Sequence, residues 1–193
     1  MYSDKQLREM SKKAYDNACE LIEDAKILLS NSRYPRAYVL AHLATEEIAK
    51  LPIIFGVRVR LKNKDNIDWK HFKSRLNGHQ SKLKSIALFD YMNDHVDLIN
   101  NTDLNLYKRQ LSHVKKYDDL KNIGLYSGIY ENQVYKPSEQ INPALAKAML
   151  QLSLGRLRCL ESRWSGMIDS EVPQNGYVFD ELLRNFQSSG TNS

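Results

Sequence analysis

Apolar residues recur at helical spacing along most of this 193-residue chain. Leu7, Met10, Ala14, Ala18, Leu21, Ala25 and Leu28 form one stripe. Ser3 and Asp4 ahead of it supply a cap, so the spacing predicts a helix up to about Ser30. Asn31, Ser32 and Arg33 read as a turn. Pro35 fits the first turn of a second helix, where its missing donor would be unused anyway. That helix carries its own stripe: Ala37, Leu40, Ala41, Ala44, Ile48 and Leu51. At roughly 100° per residue, His42, Glu46 and Lys50 fall almost opposite it, one turn apart. Glu47 lies at the border, beside Leu43. Apolar residues on nearly every side of one helix predict tertiary neighbours all round, not open solvent.

Pro52 predicts a kink or a restart, followed by an apolar piece over residues 53–59. Residues 62–68 are a polar loop, with Asp68 placed to cap a short helix over 69–76. Asn77 and Gly78 break it. A helix over 79–98 buries Leu83, Ile86, Ala87, Tyr91 and Met92. Residues 100–103 separate it from a helix running from 104 to about 120, on Leu104, Tyr107, Leu111, Val114 and Tyr117. From 122 to 142 the pattern changes. Tyr126, Tyr130, Tyr135, two glycines and Pro137 in partial alternation predict an ordered loop or small hairpin packed on the helices. Asn142-Pro143 starts a helix to about Asp169. On it Arg156 shares an otherwise apolar face with Leu145, Met149, Leu152 and Cys159, and Arg163 lies there too. Such an arginine snorkels or pairs with a carboxylate, and Glu47 is the candidate. Pro173 and Gly176 link to a short helix over 179–186, and 187–193 read as a frayed tail. The expected architecture is all-α: a helical domain over 1–170 with a small irregular or hairpin insertion, then a short C-terminal helix and tail over 171–193.

Composition supports a folded domain, with 26% charged and 42% hydrophobic residues. A formal charge of +5 is compatible with RNA or with an acidic protein partner. The first ten residues lack an apolar signal-peptide core, and the apolar run after residue 51 is interrupted by Arg58 and Arg60. A cytoplasmic protein with no membrane partner is therefore expected. Cys19 and Cys159 fall within helical patterns and read as core thiols, not as a disulfide or metal site.

The spacing calls for no metal and no cofactor. There is no Cys-x-x-Cys, no His-Glu-x-x-His and no calcium loop. Glu47 is followed three residues on by Lys50, where a di-iron bundle has histidine. Asp90, Asp94, Asp97 and Asp103 read as a solvated acidic face. Metal-free RNA cleavage needs less: a base for the 2′-hydroxyl proton, an acid for the leaving oxygen and a cation near the phosphorus. Histidine suits the first two roles, arginine or lysine the third. Of five histidines, two follow an arginine closely, as Arg75–His79 and Arg109–His113; Arg36–His42 is wider. Arg109 and His113 share a helix face, whereas the Arg75–His79 geometry depends on how Gly78 turns. His79 opens a helix among Lys73, Arg75, Lys82 and Lys84, where an anion meets side-chain charge and free backbone donors. The plainer readings are structural. Glu46 with Lys50 is then an i,i+4 ion pair, Glu47 the partner of a buried base, and the basic run Lys108, Arg109, Lys115, Lys116, Lys121 a solvated face moderated by Asp118 and Asp119.

Three segments carry a resemblance: AHLATEEIAK at 41–50, FKSRLNGHQSKL at 72–83 and KNIGLYSG at 121–128. In this order, over about residues 10–165, the chain resembles abortive infection proteins of the AbiV type, within the HEPN superfamily. The resemblance implies a compact HEPN-like helical bundle, commonly a homodimer, working in bacterial antiphage defence. It also implies a metal-independent ribonuclease using Arg-x(4–6)-His near a dimer groove. Arg36–His42 has five intervening residues but lies in an early helix, and the other two pairs have three. Carried over, the candidate catalytic residues are His79, Arg75, Lys82, His113 and Arg109, with Arg156 as a further phosphate-stabilising cation. His42, Glu46, Glu47, Lys50 and Arg156 form a structural or functional signature. The expected function is an effector that shuts down host gene expression or translation, with RNA or the ribosome as target and a phage-encoded protein as activator. The alternatives are a non-catalytic protein- or ribosome-binding module, or the antitoxin-like partner of a two-protein system.

Overall fold

The computed structural model describes residues 1–94 and 104–172. The first helix, α1 (Asp4–Ser30), starts at a capping box in which the Ser3 side chain accepts from the Gln6 N–H and Gln6 bonds back to the Ser3 backbone. Then follow α2 (Tyr34–Ile48) and α3 (Lys50–Lys62), broken at Ala49. The physical cause is Pro52. It cannot donate to the carbonyl of Ile48, and its ring crowds that carbonyl, so the helix breaks one turn before the proline itself. After α4 (Trp69–Asn77), capped by Asp68, come α5 (His79–Asp94) and α6 (Leu104–Leu125).

A small antiparallel hairpin follows: β1 (Gly128–Tyr130) pairs with β2 (Gln133–Tyr135), Ile129 opposite Val134. Its turn places Glu131 and Asn132 at positive φ, as a tight hairpin requires. The chain closes through a single turn, α7 (Pro137–Gln140), the long α8 (Pro143–Arg163) and a last turn, α9 (Gly166–Asp169). The fold is thus an all-α bundle with a hairpin insertion, as the hydrophobic pattern predicts. Helix α6 runs past the expected 120 to Leu125, because Ile123 and Gly124 are buried. Helix α8 stops at Arg163, short of 169, with Trp164 at its cap. The expected separator at 100–103 and C-terminal helix and tail lie outside the described residues.

Helix α2 is the axis. It packs against α1, α5, α6 and α8. Alanines let α1 and α2 approach closely: Ala14, Ala18 and Ala25 face Ala37, Ala41 and Ala44, all essentially inaccessible. The larger side chains of the main core, among them Ile22, Tyr38, Ile48, Leu88, Phe89 and Tyr91, fill the space where helices diverge. A second cluster of Leu7, Ile53, Ile54, Val57 and Phe72 seals α3 and α4 against the start of α1. Gly124 marks where α6 crosses the start of α2: a Cβ there would meet Val39 Cγ2 at 3.2 Å. Arg36 donates to the Gly124 and Leu125 carbonyls at 3.1 and 3.0 Å, satisfying the end of α6.

Candidate functional site

Because α2 is surrounded, its polar side is buried as well. His42 and Glu46, almost opposite the apolar stripe, are 2% and 8% exposed. A buried carboxylate needs partners. Glu46 receives Lys82 from α5 (Nζ–Oε2, 2.5 Å) and Lys121 from α6 (Nζ–Oε1, 2.9 Å). Lys121 also pairs with Asp118 one turn earlier, at 2.8 Å. The second Asp118 oxygen binds His79 Nε2 at 2.5 Å. The other ring nitrogen of His79, Nδ1, stands 3.6 Å from Glu46 Oε1, beyond hydrogen-bond range. Three helices thereby contribute six ionisable groups to one cluster.

Gly78 sets the corner that delivers His79. A Cβ on it would lie 2.6 Å from the Ser74 carbonyl oxygen, so a larger residue could not close the α4–α5 turn in this way. His79 is the cluster's outermost group, with 36% of its side chain accessible. His42 lies beneath, with Nδ1 3.7 Å from Glu46 Oε1 and no hydrogen-bond partner for that nitrogen among the described residues.

The electrostatics follow from these contacts. Burial pushes His42 down to about 4, so it is neutral at physiological pH. Burial pulls Glu46 the other way, but the hydrogen bonds and charges of Lys82 and Lys121 outweigh it and hold the carboxyl down at about 2. Asp118 is likewise lowered: its burial is outweighed by Lys121 and His79. Lys121 is raised, its desolvation more than offset by Asp118 and Glu46. The cluster therefore holds two carboxylates and two ammonium groups, with His79 at the opening. His42, Glu46 and Asp118 each offer a ligand atom within 4.8 Å of the others. The two lysines already bring to those carboxylates the positive charge that a divalent cation would supply, so the donor set fits an ion-pair network better than a metal site.

Several sequence expectations change. Lys50 pairs with Glu47 at 2.6 Å, not with Glu46, which turns inward. Arg156 does not meet Glu47; it makes a bidentate pair with Asp90 (2.9 and 2.5 Å) and donates to Thr45 Oγ1 at 3.1 Å. Thr45 in turn contacts Ser153, which donates to the Ala41 carbonyl, so a polar thread ties α8 and α5 to α2. Arg156 is thus bound within the structure, 5% exposed, and is not the free phosphate-stabilising cation expected. Asp90 is correspondingly not part of a solvated acidic face. Asp94 is exposed and bonds Gln110, while Asp97 and Asp103 lie outside the described residues. Arg163 is exposed and donates to the Asn93 carbonyl.

Of the Arg–His pairs, Arg75 is half-buried in the last turn of α4, three residues before Gly78. Arg109 and His113 lie exposed one turn apart on α6, away from the cluster; His113 faces a groove of about 550 Å³ shared with Asp90, Tyr117, Gln151 and Arg156. Arg36 is drawn to the end of α6, so it does not act with the buried His42. Asp118 and Lys121 were legible in the sequence only as part of a mixed-charge face. A better signal was present: Tyr107, Leu111, Val114, Asp118 and Lys121 continue one alternating three- and four-residue stripe, so the two charges stand where core residues are due.

No helix among the described residues is long and apolar enough to cross a membrane. No curated protein and no solved structure matches the chain. A family model does: that of AbiV matches residues 6–156, a span holding all but the first two residues of α1, then α2 to α6, the hairpin, every residue of the ion-pair cluster and the Arg156 thread. Over most of its length, then, this chain belongs to the AbiV abortive-infection family of the HEPN superfamily.

Proposed function

We propose that this protein is an antiphage abortive-infection effector that shuts down host gene expression or translation by metal-independent cleavage of RNA at the His79 corner. The observation that carries the reading is the Asp118–His79 contact. Asp118 accepts from Nε2–H and so fixes the tautomer with its lone pair on Nδ1, the nitrogen that makes no hydrogen bond among the described residues. This is the orienting relation by which a carboxylate prepares a histidine base. In the reaction, Nδ1 takes the 2′-hydroxyl proton, the 2′-oxygen attacks phosphorus, the bond to the 5′-oxygen breaks, and that oxygen takes a proton from the Lys82 ammonium. The imidazolium formed lies between Asp118 and Glu46, whose negative charges stabilise it. Lys82 and Lys121 offset charge on the phosphate oxygens. A homodimer would bring two such corners to one RNA, and a phage-encoded activator would open a cluster that is internally neutralised at rest.

The test is cleavage of total RNA and of intact ribosomes in EDTA by wild type, His79→Ala and Asp118→Asn, each with verified folding, alone and with extract from phage-infected cells. Cleavage is expected from the wild type, to be lost in His79→Ala and to fall about 10²-fold or more in Asp118→Asn. RNA that stays intact while translation stops overturns the reading.

A second reading is supported by a different observation. Ile129 and Val134, paired across the hairpin, are 74% and 84% exposed, with Tyr126 and Tyr130 nearby. Exposed apolar side chains of this kind favour a protein or ribosome contact. If binding alone is the mechanism, Ile129→Ser with Val134→Ser abolishes phage protection and His79→Ala preserves it.

A further inference from the structure

A groove of about 660 Å³, within the size range of ligand sites, runs between α1, the α2–α3 junction and α4. The RNA-cleavage mechanism leaves its residues unused, although they include Glu47 and Lys50. Three lysines line it: Lys13, Lys50 and Lys73. Lys13 pairs with Glu9 at 2.8 Å on open surface, and Lys50 with Glu47. The Lys13 pair is solvated, so it contributes little and exchanges readily for another anion, whereas the Lys50 pair is largely buried. Lys73 makes no ion pair among the described residues; its Nζ stands 5.7 Å from the Tyr2 ring centroid. Tyr2 is held by edge contacts from Trp69 and Phe72, with centroids 5.4 and 6.1 Å away. The amides of Gln6, Asn17 and Asn77 line it with neutral donors and acceptors, beside the carboxylates of Glu9 and Glu47 that the two paired lysines neutralise.

A braced aromatic ring beside cations and amides is the chemistry that takes single-stranded nucleic acid: bases stack on the ring and phosphates meet the lysines. The position is equally telling. Glu46 of the ion-pair cluster and Glu47 of the groove are consecutive on α2, and Asn77 of the groove and His79 of the cluster flank Gly78. The groove and the cleavage corner therefore adjoin along two elements at once.

We propose that this groove seats a single-stranded RNA segment, one base stacked on Tyr2 and phosphates on Lys73 and Lys13, and leads the strand to His79. The inference rests on the cleavage reading for its direction, but not for its binding chemistry. It is tested by anisotropy of a short labelled 2′-O-methyl oligonucleotide, which lacks the nucleophile and so reports binding alone, run beside the cleavage assay on unmodified RNA. Tyr2→Leu is expected to weaken binding about 5- to 100-fold through the lost stack. Lys13→Ala with Lys73→Ala, both surface changes, is expected to lower the slope of log K against log salt by about 1.4. Lys147→Ala, an exposed change on α8 that likewise removes positive charge, leaves binding as in the wild type.

Absence of wild-type binding, or groove variants that behave like Lys147→Ala, overturns the proposal. Groove-dependent binding with uncut RNA upholds the groove and removes the cleavage mechanism. Cut RNA with wild-type binding in the groove variants does the reverse. Should Tyr2→Leu unfold, the lysine pair alone decides.

Discussion

Glu46→Gln is the sharpest perturbation of the cluster, because it removes one charge and almost no volume. In the wild type, Glu46 is the sole ion-pair partner of Lys82 among the described residues, whereas Lys121 retains Asp118. The variant thus leaves one largely buried ammonium without a counterion. Two routes give its cost. Removing one member of a buried pair destabilises by about 3–5 kcal/mol, and the rim position of Lys82 favours the lower end. Independently, the drop of the Glu46 carboxyl from 4.5 to about 2 corresponds to about 3 kcal/mol favouring its ionised form in the folded chain. Both point to about 3 kcal/mol near neutral pH, or a fall in Tm of roughly 6–12 °C for a chain of this size.

The sign of the pH dependence adds a stricter test. A carboxylate depressed on folding stabilises above its unfolded value and loses that contribution as pH falls through its folded one. Urea unfolding of wild type and variant should therefore differ by about 3 kcal/mol at pH 7, with the gap closing from about pH 4.5 toward 2. Adding Lys82→Met to Glu46→Gln should recover more than half the loss, since the stranded charge is gone. Equal stability within about 0.5 kcal/mol, or a gap independent of pH, would refute the ion-pair account.

Three further outcomes are expected. His42, neutral in the fold at about 4 against an ordinary 6.5, makes the unfolded chain take up a proton first as pH falls. Stability should decline by up to about 3 kcal/mol between those values, and His42→Gln should flatten that part of the urea-derived profile. Arg58, fully buried, pairs with a half-exposed Asp4 and donates to the Ser170 carbonyl. Asp4→Asn strands the arginine and should cost about 3 kcal/mol, whereas Arg58→Met lets Asp4 return to water and should cost less than half as much by chemical denaturation. Gly78→Ala should lower Tm by several degrees and shift the His79 ring resonances, because its Cβ would collide with the Ser74 carbonyl; unchanged resonances would mean that the corner does not position the ring.

Much of the fold was legible because its causes are local. Ser3, Asp68 and Asn142 each bond a backbone N–H of the first turn they precede, and such caps act within three residues. Pro52 breaks its helix through its own missing donor, and the alternation after Tyr126 became a two-stranded hairpin. Even the density of apolar residues around α2 forecast that it would be enclosed.

The partners of the charges were not local, and here the sequence alone was insufficient. Spacing along α2 offered Lys50 to Glu46 at i,i+4, yet the carboxylate meets lysines 36 and 75 positions away. Likewise Arg156 found Asp90, 66 residues distant, in place of Glu47. Periodicity fixes the face on which a side chain lies. Which charge stands across from it depends on how the other helices are rotated and placed, and packing of their apolar stripes decides that. By itself the sequence determined an all-α bundle with a small hairpin insertion and the caps that start α1, α4 and α8. Only the tertiary structure brought His79, Asp118, Lys82 and Lys121 onto Glu46, because burial of a carboxylate demands compensation wherever in the chain it can be found.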